Sequence, residues 1–178
     1  ISQPKWTANV LNGKPVIRFD GTNDFLSAGD NYDLGTNSRT VFIVGKSNVT
    51  NTGSYYAKTL AANAANRIAF YHNASGLNHL FQDNSGSAQL VTLNPAPTGY
   101  SAFSSLINRT TQQVRVYKNG VQSGNTVTGI QGAAYNFNST YRFLLGAYNN
   151  ATDAGEIGYL NGDIAEFIMY DTALPDSS

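Results

Sequence analysis

The sequence contains no cysteine, few charged side chains and no basic excess. Without cysteine the chain has neither disulfides nor thiolate metal sites, which favours a bacterial or phage origin, or a core that is stable without cross-links. Charged residues make up 12% of the 178 positions, against roughly 25% in an average soluble protein. The formal net charge is zero, so no basic field attracts nucleic acid or anionic lipid. No apolar run reaches the length of about 18 residues that a membrane span needs. We therefore predict no nucleic-acid partner and no membrane insertion.

The polarity that charges would supply comes instead from Asn, Ser, Thr, Gly and Tyr, which favour turns and strands over surface helices. Apolar alternation and turn residues predict about eleven or twelve short strands. The clearest of them lie at residues 14–20, 24–28, 39–46, 54–60, 67–72, 77–82, 88–93, 100–108, 113–121, 141–148 and 163–170. A short Ala-rich helix at 57–66 is an open alternative. The pattern indicates an all-β fold, an antiparallel β-sandwich.

The stretch from Gly158 to Pro175 predicts the most informative strand. Residues 163–170 are apolar on both faces, which is typical of a strand inside a sheet. Glu166 interrupts this pattern, because strict alternation places it beside Ile164 on one buried face. We expect either an ion pair with an arginine, Arg18 or Arg142, or a role as a metal ligand.

The chain shows no internal repeat and no linker, so residues 1–178 are interpreted as one module, taken from a longer protein. Five Asn-x-Ser/Thr sequons occur, at Asn48, Asn73, Asn108, Asn138 and Asn150. In a chain this rich in Asn, Ser and Thr such triplets are expected by chance, so they do not predict glycosylation by themselves.

Three stretches carry a family resemblance. Residues 9–26 (NVLNGKPVIRFDGTNDFL) resemble the opening of laminin-G-like, concanavalin A-like jelly-roll modules, and residues 114–121 (VRVYKNGV) resemble their mid-domain hairpin. Residues 141–150 with 160–175 resemble their closing strands. The resemblance implies two curved antiparallel sheets with any ligand on the concave face or on the loops at one rim. It also implies a structural calcium ion between the first and last strands, where Asp20, Gly21 and Glu166 are expected to meet.

Glycosidase activity depends on the spacing of the carboxylates. Glycoside hydrolysis needs two of them about 5–10 Å apart, and the hydrolases of this fold place them on one strand. The two Glu residues here, Glu156 and Glu166, lie ten positions apart in the sequence. A lyase needs a His/Tyr pair in a basic cleft; His72, His79 and Tyr71 are candidates, with Arg67 as the one nearby cation. We predict that the chain is not an enzyme.

Sugar recognition combines an aromatic ring with amide and hydroxyl groups. The candidate ligand-binding residues are Tyr71, His79 and Gln82, on the predicted 67–83 hairpin, with Tyr148 and Asn149 near the closing strands. Strand packing is the competing interpretation of each tyrosine. Which of these side chains share one face depends on a register that alternation alone leaves open.

The favoured hypothesis is a non-catalytic carbohydrate-binding or adhesion module of a secreted, cell-surface or virion protein, with a glycan or cell-surface polysaccharide as its partner. A structural or assembly module that binds protein, such as a spacer or a capsid or tail decoration, is the first alternative. A polysaccharide hydrolase or lyase is the second.

Overall fold

A computed structural model of the chain describes residues 3–49, 52–60, 66–84, 88–97 and 99–175. Within these ranges the backbone forms strands and turns without helices, so no helix there is long and apolar enough to cross a membrane. The strands are β1 (Lys5–Leu11), β2 (Lys14–Asp20), β3 (Leu26–Ser27), β4 (Arg39–Ser47), β5 (Gly53–Lys58), β6 (Arg67–Asn73), β7 (Gly76–Gln82), β8 (Gln89–Leu93), β9 (Ser101–Asn108), β10 (Gln113–Lys118), β11 (Val121–Gln122), β12 (Val127–Thr128), β13 (Phe143–Leu145), β14 (Tyr148–Asn149), β15 (Glu156–Ile157) and β16 (Asn161–Tyr170).

The strands form two packed sheets with antiparallel ladders throughout. Sheet A has the order β1-β2-β16-β4-β9-β10-β11, with β12 also paired to β10; sheet B has the order β3-β13-β5-β6-β7-β8. β14 and β15 form a separate two-stranded ribbon. The predicted antiparallel β-sandwich is confirmed. The predicted interior position of the closing strand is also confirmed, because β16 lies between β2 and β4 in sheet A.

Aromatic rings fill the space between the sheets. Tyr55 and Tyr56 are adjacent in β5, yet both are buried, because a register shift in the β5–β6 ladder breaks the alternation between them. The Tyr56 ring stacks on Phe143 with a centroid distance of 6.0 Å, and Phe70 meets Phe103 edge to face at 5.4 Å. Offset and edge-to-face pairs of this kind add to the free energy gained by burying the rings.

Most of the predicted strands occur close to their predicted bounds, and residues 14–20 form β2 without change. The predicted strand at 141–148 divides into β13 and β14 at Gly146, which has a φ of +83°. A Cβ at that position would collide with the Phe19 ring, so the close approach requires glycine. The alternative helix at 57–66 is wrong at 57–58, which belong to β5, and residues 61–65 of it lie outside the described residues.

Glu166 does not occupy the buried position that alternation predicts. A β-bulge at Ala165 shifts the register between β16 and β4, so Ile164 pairs with Gly45 while Glu166 pairs with the next residue, Val44. The extra residue moves Glu166 to the outer face of sheet A, where it is exposed. The expected ion pair with Arg18 or Arg142 is therefore wrong.

Asp163 is the buried acid of the closing strand. Its carboxylate accepts two hydrogen bonds from the Arg18 guanidinium, at 2.7 and 3.0 Å, and one from the Tyr100 hydroxyl. The Lys46 ammonium lies 3.9 Å away. Burial raises the pKa of the Asp163 carboxyl, but the hydrogen bonds from Arg18 and Tyr100 outweigh it and hold the pKa below its ordinary value. The ionised form thus stabilises the junction of β2, β16 and β4.

Replacing Asp163 with Asn should lower the free energy of unfolding by about 2 kcal/mol, because Arg18 and Lys46 lose their counter-charge while Arg18 remains half exposed to water. Glu166→Gln is the matched control, with an expected change within about 0.5 kcal/mol. Urea unfolding of both variants measures the difference. An equal loss in the two variants would contradict the assignment of Asp163 as the stabilising acid.

Two histidines are buried in the core. His79 shares a hydrogen bond of 2.9 Å between its Nε2 and the Tyr56 hydroxyl, and its Nδ1 has no partner among the described residues. Neither ring nitrogen of His72 has one there. Burial lowers the pKa of His72 to about 4 and that of His79 to about 3. Both rings are therefore neutral in the folded protein at neutral pH.

Acid should destabilise the fold through these histidines. In the unfolded chain they bind protons below pH about 6.5, so the stability conferred by neutral burial is present above that pH and is lost as the pH falls towards 4. Two protons taken up on unfolding give a slope of at most about 2.7 kcal/mol per pH unit. Urea unfolding between pH 4.5 and 7 measures this slope in the wild type and in His72→Phe, which should roughly halve the histidine contribution. An unchanged slope in the variant would contradict this origin.

Candidate functional site

The outer face of sheet B carries a row of apolar side chains set by the register of its ladders. Ala57 of β5 pairs with Ala69 of β6, Ala69 pairs with Leu80 of β7, and Leu80 pairs with Leu90 of β8. Cross-strand partners lie on the same face of a sheet, and the flanking residues in each strand point into the core. The row forms an apolar floor, and its side chains are small at the β5–β6 end, where Ala57 lies beside Ala69.

Two tyrosines stand on this floor. Tyr71 of β6 and Tyr148 of β14 both pack against the cluster formed by Ala57, Ala69 and Leu80. Burial raises the pKa of the Tyr71 hydroxyl, although the Arg67 charge acts in the opposite direction. The two rings are therefore close enough to form the walls of one depression, which we call the tyrosine pocket.

The tyrosine pocket is open to solvent and has a cavity volume of about 170 Å³. Its lining includes one cation, Arg67, and no Asp or Glu among the described residues. The Arg67 Nε donates to the Gln82 Oε1 at 2.6 Å, and burial lowers the pKa of the guanidinium. The lining residues are Thr59, Leu60, Arg67, Ala69, Tyr71, Leu80, Ala88, Leu90 and Tyr148.

Tyr148 is held in place by its neighbours along the chain. The buried Asn149 side chain donates from Nδ2 to the Thr59 and Arg142 carbonyls, at 3.1 and 2.8 Å. The Tyr148 ring lies against Gly158, which has a φ of +61°, and a Cβ at Gly158 would collide with the ring. The position of this wall is thus fixed before any ligand arrives.

The structure brings together some of the residues predicted to bind a ligand and separates others. Tyr71 and Tyr148 share the tyrosine pocket, and Gln82 is buried beside it as the partner of Arg67. His79 is wrongly predicted, because it pairs with Phe70 and points into the core. Asn149 is also wrong as a contact residue, since its side chain is fully buried and positions Tyr148 instead.

The His/Tyr cluster considered for lyase chemistry is also separated. Tyr71 and His72 are adjacent in β6, so their side chains lie on opposite faces, with Tyr71 outward and His72 buried. Sequence reasoning undervalued Arg67, which is the one cation between Lys58 and Arg109. It missed the apolar floor residues Ala69 and Leu80, which an assigned register would have placed on the same face as Tyr71.

The residues expected to bind calcium do not meet. Asp20 pairs with Asn161 and Glu166 pairs with Val44, which places the two acids about 15 Å apart along the sheet. The Asp20 carboxylate instead accepts the backbone amides of Thr22 and Asn23, as an Asx-turn does. The described residues contain no group of three or more His or acidic side chains that could hold a metal ion. Calcium binding elsewhere stays a prediction.

Comparison with solved structures confirms the jelly-roll sandwich fold that the sequence resemblance implied. A heptameric SAP-like pentraxin from Limulus polyphemus has a TM-score of 0.67 and 18% identity, over 89% of this chain and 76% of the pentraxin. The CBM40 module of the Ruminococcus gnavus IT-sialidase, solved with α2,3-sialyllactose, has a TM-score of 0.64 and 13% identity, over 90% of this chain and 91% of the module.

The NanB sialidase of Streptococcus pneumoniae is also similar, with a TM-score of 0.65 and 14% identity. The match covers 99% of this chain but 27% of NanB, so the chain corresponds to about a quarter of that enzyme. No protein-family model matches the sequence. No curated protein matches it either. At these identities the likeness shows the fold.

Gly158→Ala should displace the Tyr148 ring from the floor of the tyrosine pocket. The ring-current shifts of the Ala57 and Ala69 methyl resonances in a ¹³C spectrum measure that displacement. Gly129→Ala is the matched control: Gly129 also has a positive φ, of +75°, but nothing lies near its would-be Cβ. Both variants carry similar backbone strain, about 1 kcal/mol, so the methyl shifts should move in Gly158→Ala alone. Unchanged methyl shifts in that variant would show that Gly158 does not position the ring.

Proposed function

We propose that the chain is a carbohydrate-binding module whose ligand occupies the tyrosine pocket. The observation that carries this proposal is the pairing of two tyrosine rings, Tyr71 and Tyr148, over an apolar floor with polar side chains at its edge. Aromatic rings pack against the C–H face of a sugar, while nearby polar groups bind its hydroxyls. The likeness to the CBM40 module and to the pentraxin supports the proposal at the level of fold.

An acidic sugar fits the charge of the pocket better than a neutral one. Arg67 contributes a positive charge to the described lining, and its Nε donates to Gln82 at the edge of the pocket. A guanidinium recognises carboxylates through paired hydrogen bonds. The solved CBM40 complexes contain α2,3- and α2,6-sialyllactose, so sialylated glycans are the first ligands to test.

The proposal includes a non-catalytic role at a cell surface, outside the cell or on a virion. Glycoside hydrolysis requires a second carboxylate opposite the first, and the described lining of the pocket supplies neither. The two Glu residues lie apart, with Glu166 on the outer face of sheet A and Glu156 in an ion pair with Arg142. A glycan partner is found mainly in those compartments.

Tyr71→Ala should abolish binding of 3′-sialyllactose, because it removes one wall of the pocket. Tyr71→Phe keeps the ring and should retain most of the affinity. Isothermal titration calorimetry with 3′-sialyllactose, 6′-sialyllactose and lactose, each with calcium and with EDTA, measures the affinity and tests whether an ion contributes. Truncation of an anchoring ring commonly costs more than about 1 kcal/mol, or a factor of about five or more in Kd.

Trp6→Ala serves as the control, since Trp6 is the most exposed ring away from the pocket. It should bind like the wild type. Equal affinity for lactose and for the two sialyllactoses would contradict the acidic-sugar assignment. Absence of binding to a broad glycan array by a wild-type protein with a cooperative melting transition would contradict the carbohydrate-binding proposal as a whole.

An assembly module is the second candidate, and one observation favours it. Strand β1 is an edge strand of sheet A, paired with β2, and Trp6 on that strand is 67% exposed. Leu26 and Tyr32, near the edge strand β3, are also exposed. Exposed apolar groups along one open side are typical of protein interfaces. Sedimentation analysis of the same samples separates the two functions, since self-association that Trp6→Ala abolishes would favour assembly.

A further inference from the structure

The outer face of sheet A carries a second groove, on the side opposite the tyrosine pocket. Phe42 of β4 pairs with Ser104 of β9, and Ser104 pairs with Tyr117 of β10. The neighbours of these three residues along each strand point into the core, so the three side chains point outward. Two strand spacings separate the Cα atoms of Phe42 and Tyr117 by about 10 Å. A hydroxyl therefore lies between two aromatic rings.

This groove, which we call the aromatic groove, has a cavity volume of about 260 Å³ and is open to solvent. One side of the Phe42 ring is covered by Tyr170, edge to face at 6.2 Å, which leaves the other side for the groove. The Leu174 amide donates to the Thr40 Oγ1 at 3.0 Å, so the segment with Pro175 forms a ridge on the sheet. The groove is thus a concave site rather than a flat face.

The geometry disfavours two kinds of occupant. An extended peptide gains affinity by pairing with a free strand edge, but β4, β9 and β10 are interior strands of sheet A whose neighbours use the ladder positions on both sides. A flat sheet of a second copy would meet the ridge at Leu174 and Pro175.

Within the described residues, the aromatic groove lacks the charged lining that an anionic ligand would need. The described lining of the aromatic groove has no charged side chain. Arg115 lies two residues before Tyr117 on β10, and its guanidinium donates to the Gln113 Oε1 at 2.7 Å and to the Tyr117 hydroxyl at 3.4 Å. Its charge lies at the rim, beside Tyr117. The site therefore differs in charge from the tyrosine pocket, whose lining contains Arg67.

The geometry points to a second ligand site in the aromatic groove, for an uncharged hexopyranose residue of a glycan. The C–H faces of the sugar pack between Phe42 and Tyr117, and its hydroxyls reach the Ser104 hydroxyl. The Ser104 hydroxyl makes no hydrogen bond in the part of the chain that the structure describes, so it is available to a ligand. The inference does not depend on the tyrosine pocket. Occupied together, the two sites on opposite faces would connect two glycan chains.

Titration of ¹⁵N-labelled protein with cellotetraose, laminaritetraose and mannotetraose tests the inference, because the amide resonances that shift show where on the protein each sugar binds. At least one of these neutral sugars should shift the amide resonances of Ala102, Ser104, Tyr117 and Gly120. Tyr117→Ala should weaken that binding at least about tenfold. Ser104→Ala removes the hydroxyl alone and should weaken it severalfold. Tyr71→Ala and Trp6→Ala, which lie outside the groove, should leave it unchanged, so failure at one site is distinguishable from failure at the other.

Three results would overturn the inference. The first is the absence of shifts at these amides with all three sugars at 10 mM. The second is binding that survives unchanged in Tyr117→Ala. The third is concentration-dependent self-association of the wild type that Tyr117→Ala abolishes, which would make the groove an interface between protein chains.

Discussion

The β-bulge at Ala165 is the constraint on which the outer face of sheet A and the core beneath it depend. Strict alternation along β16 would bury Glu166 beside Ile164 and would turn Phe167 and Met169 outward. The one extra residue reverses this assignment from Glu166 onward. The carboxylate stays in water, which avoids the desolvation cost of a buried unpaired charge. Phe167 packs in the core against Tyr56, while Ile168 and Tyr170 are exposed beside Phe42, and Tyr170 covers the side of the Phe42 ring that faces away from the aromatic groove.

The few charges of the chain serve mainly to fix loops. Arg109 is almost fully buried and donates to the carbonyls of Gln131, Gly132 and Tyr135, so one guanidinium orders a loop that has no regular strand of its own. Arg39 joins the carbonyl of Asp33 to the carboxylate of Asp171 in the same way. Buried arginines with satisfied donors can stabilise irregular backbone that no ladder holds. This explains how a protein with 12% charged residues and no disulfide keeps defined rims around its sheets.

The sequence was sufficient for the sandwich, because alternation and turn residues identify strands locally. The closing strand also followed from local chemistry. The sheet face on which each site residue lies could not be predicted from local chemistry. His79 and Tyr71 were grouped by composition, whereas the Asn73↔Gly76 register of the β6–β7 hairpin sets them on opposite faces. The bulge at Ala165 has no distinctive residue, so Asp163 and Glu166 exchanged roles. Such errors arise because pairing with the partner strand, a non-local interaction, decides which face a side chain occupies.

The two grooves differ in how they are held, and this bears on what each can bind. The aromatic groove is built from three adjacent strands of one sheet, so its rings are as fixed as the ladder itself. The tyrosine pocket takes one wall from sheet B and the other from the β14–β15 ribbon. That ribbon would be mobile on its own, but Asn149 ties it to Thr59 and the Arg142–Glu156 ion pair closes its loop. Because ordering a wall during binding would subtract from affinity, these contacts let a two-residue strand hold the Tyr148 ring in a fixed position for the proposed ligand.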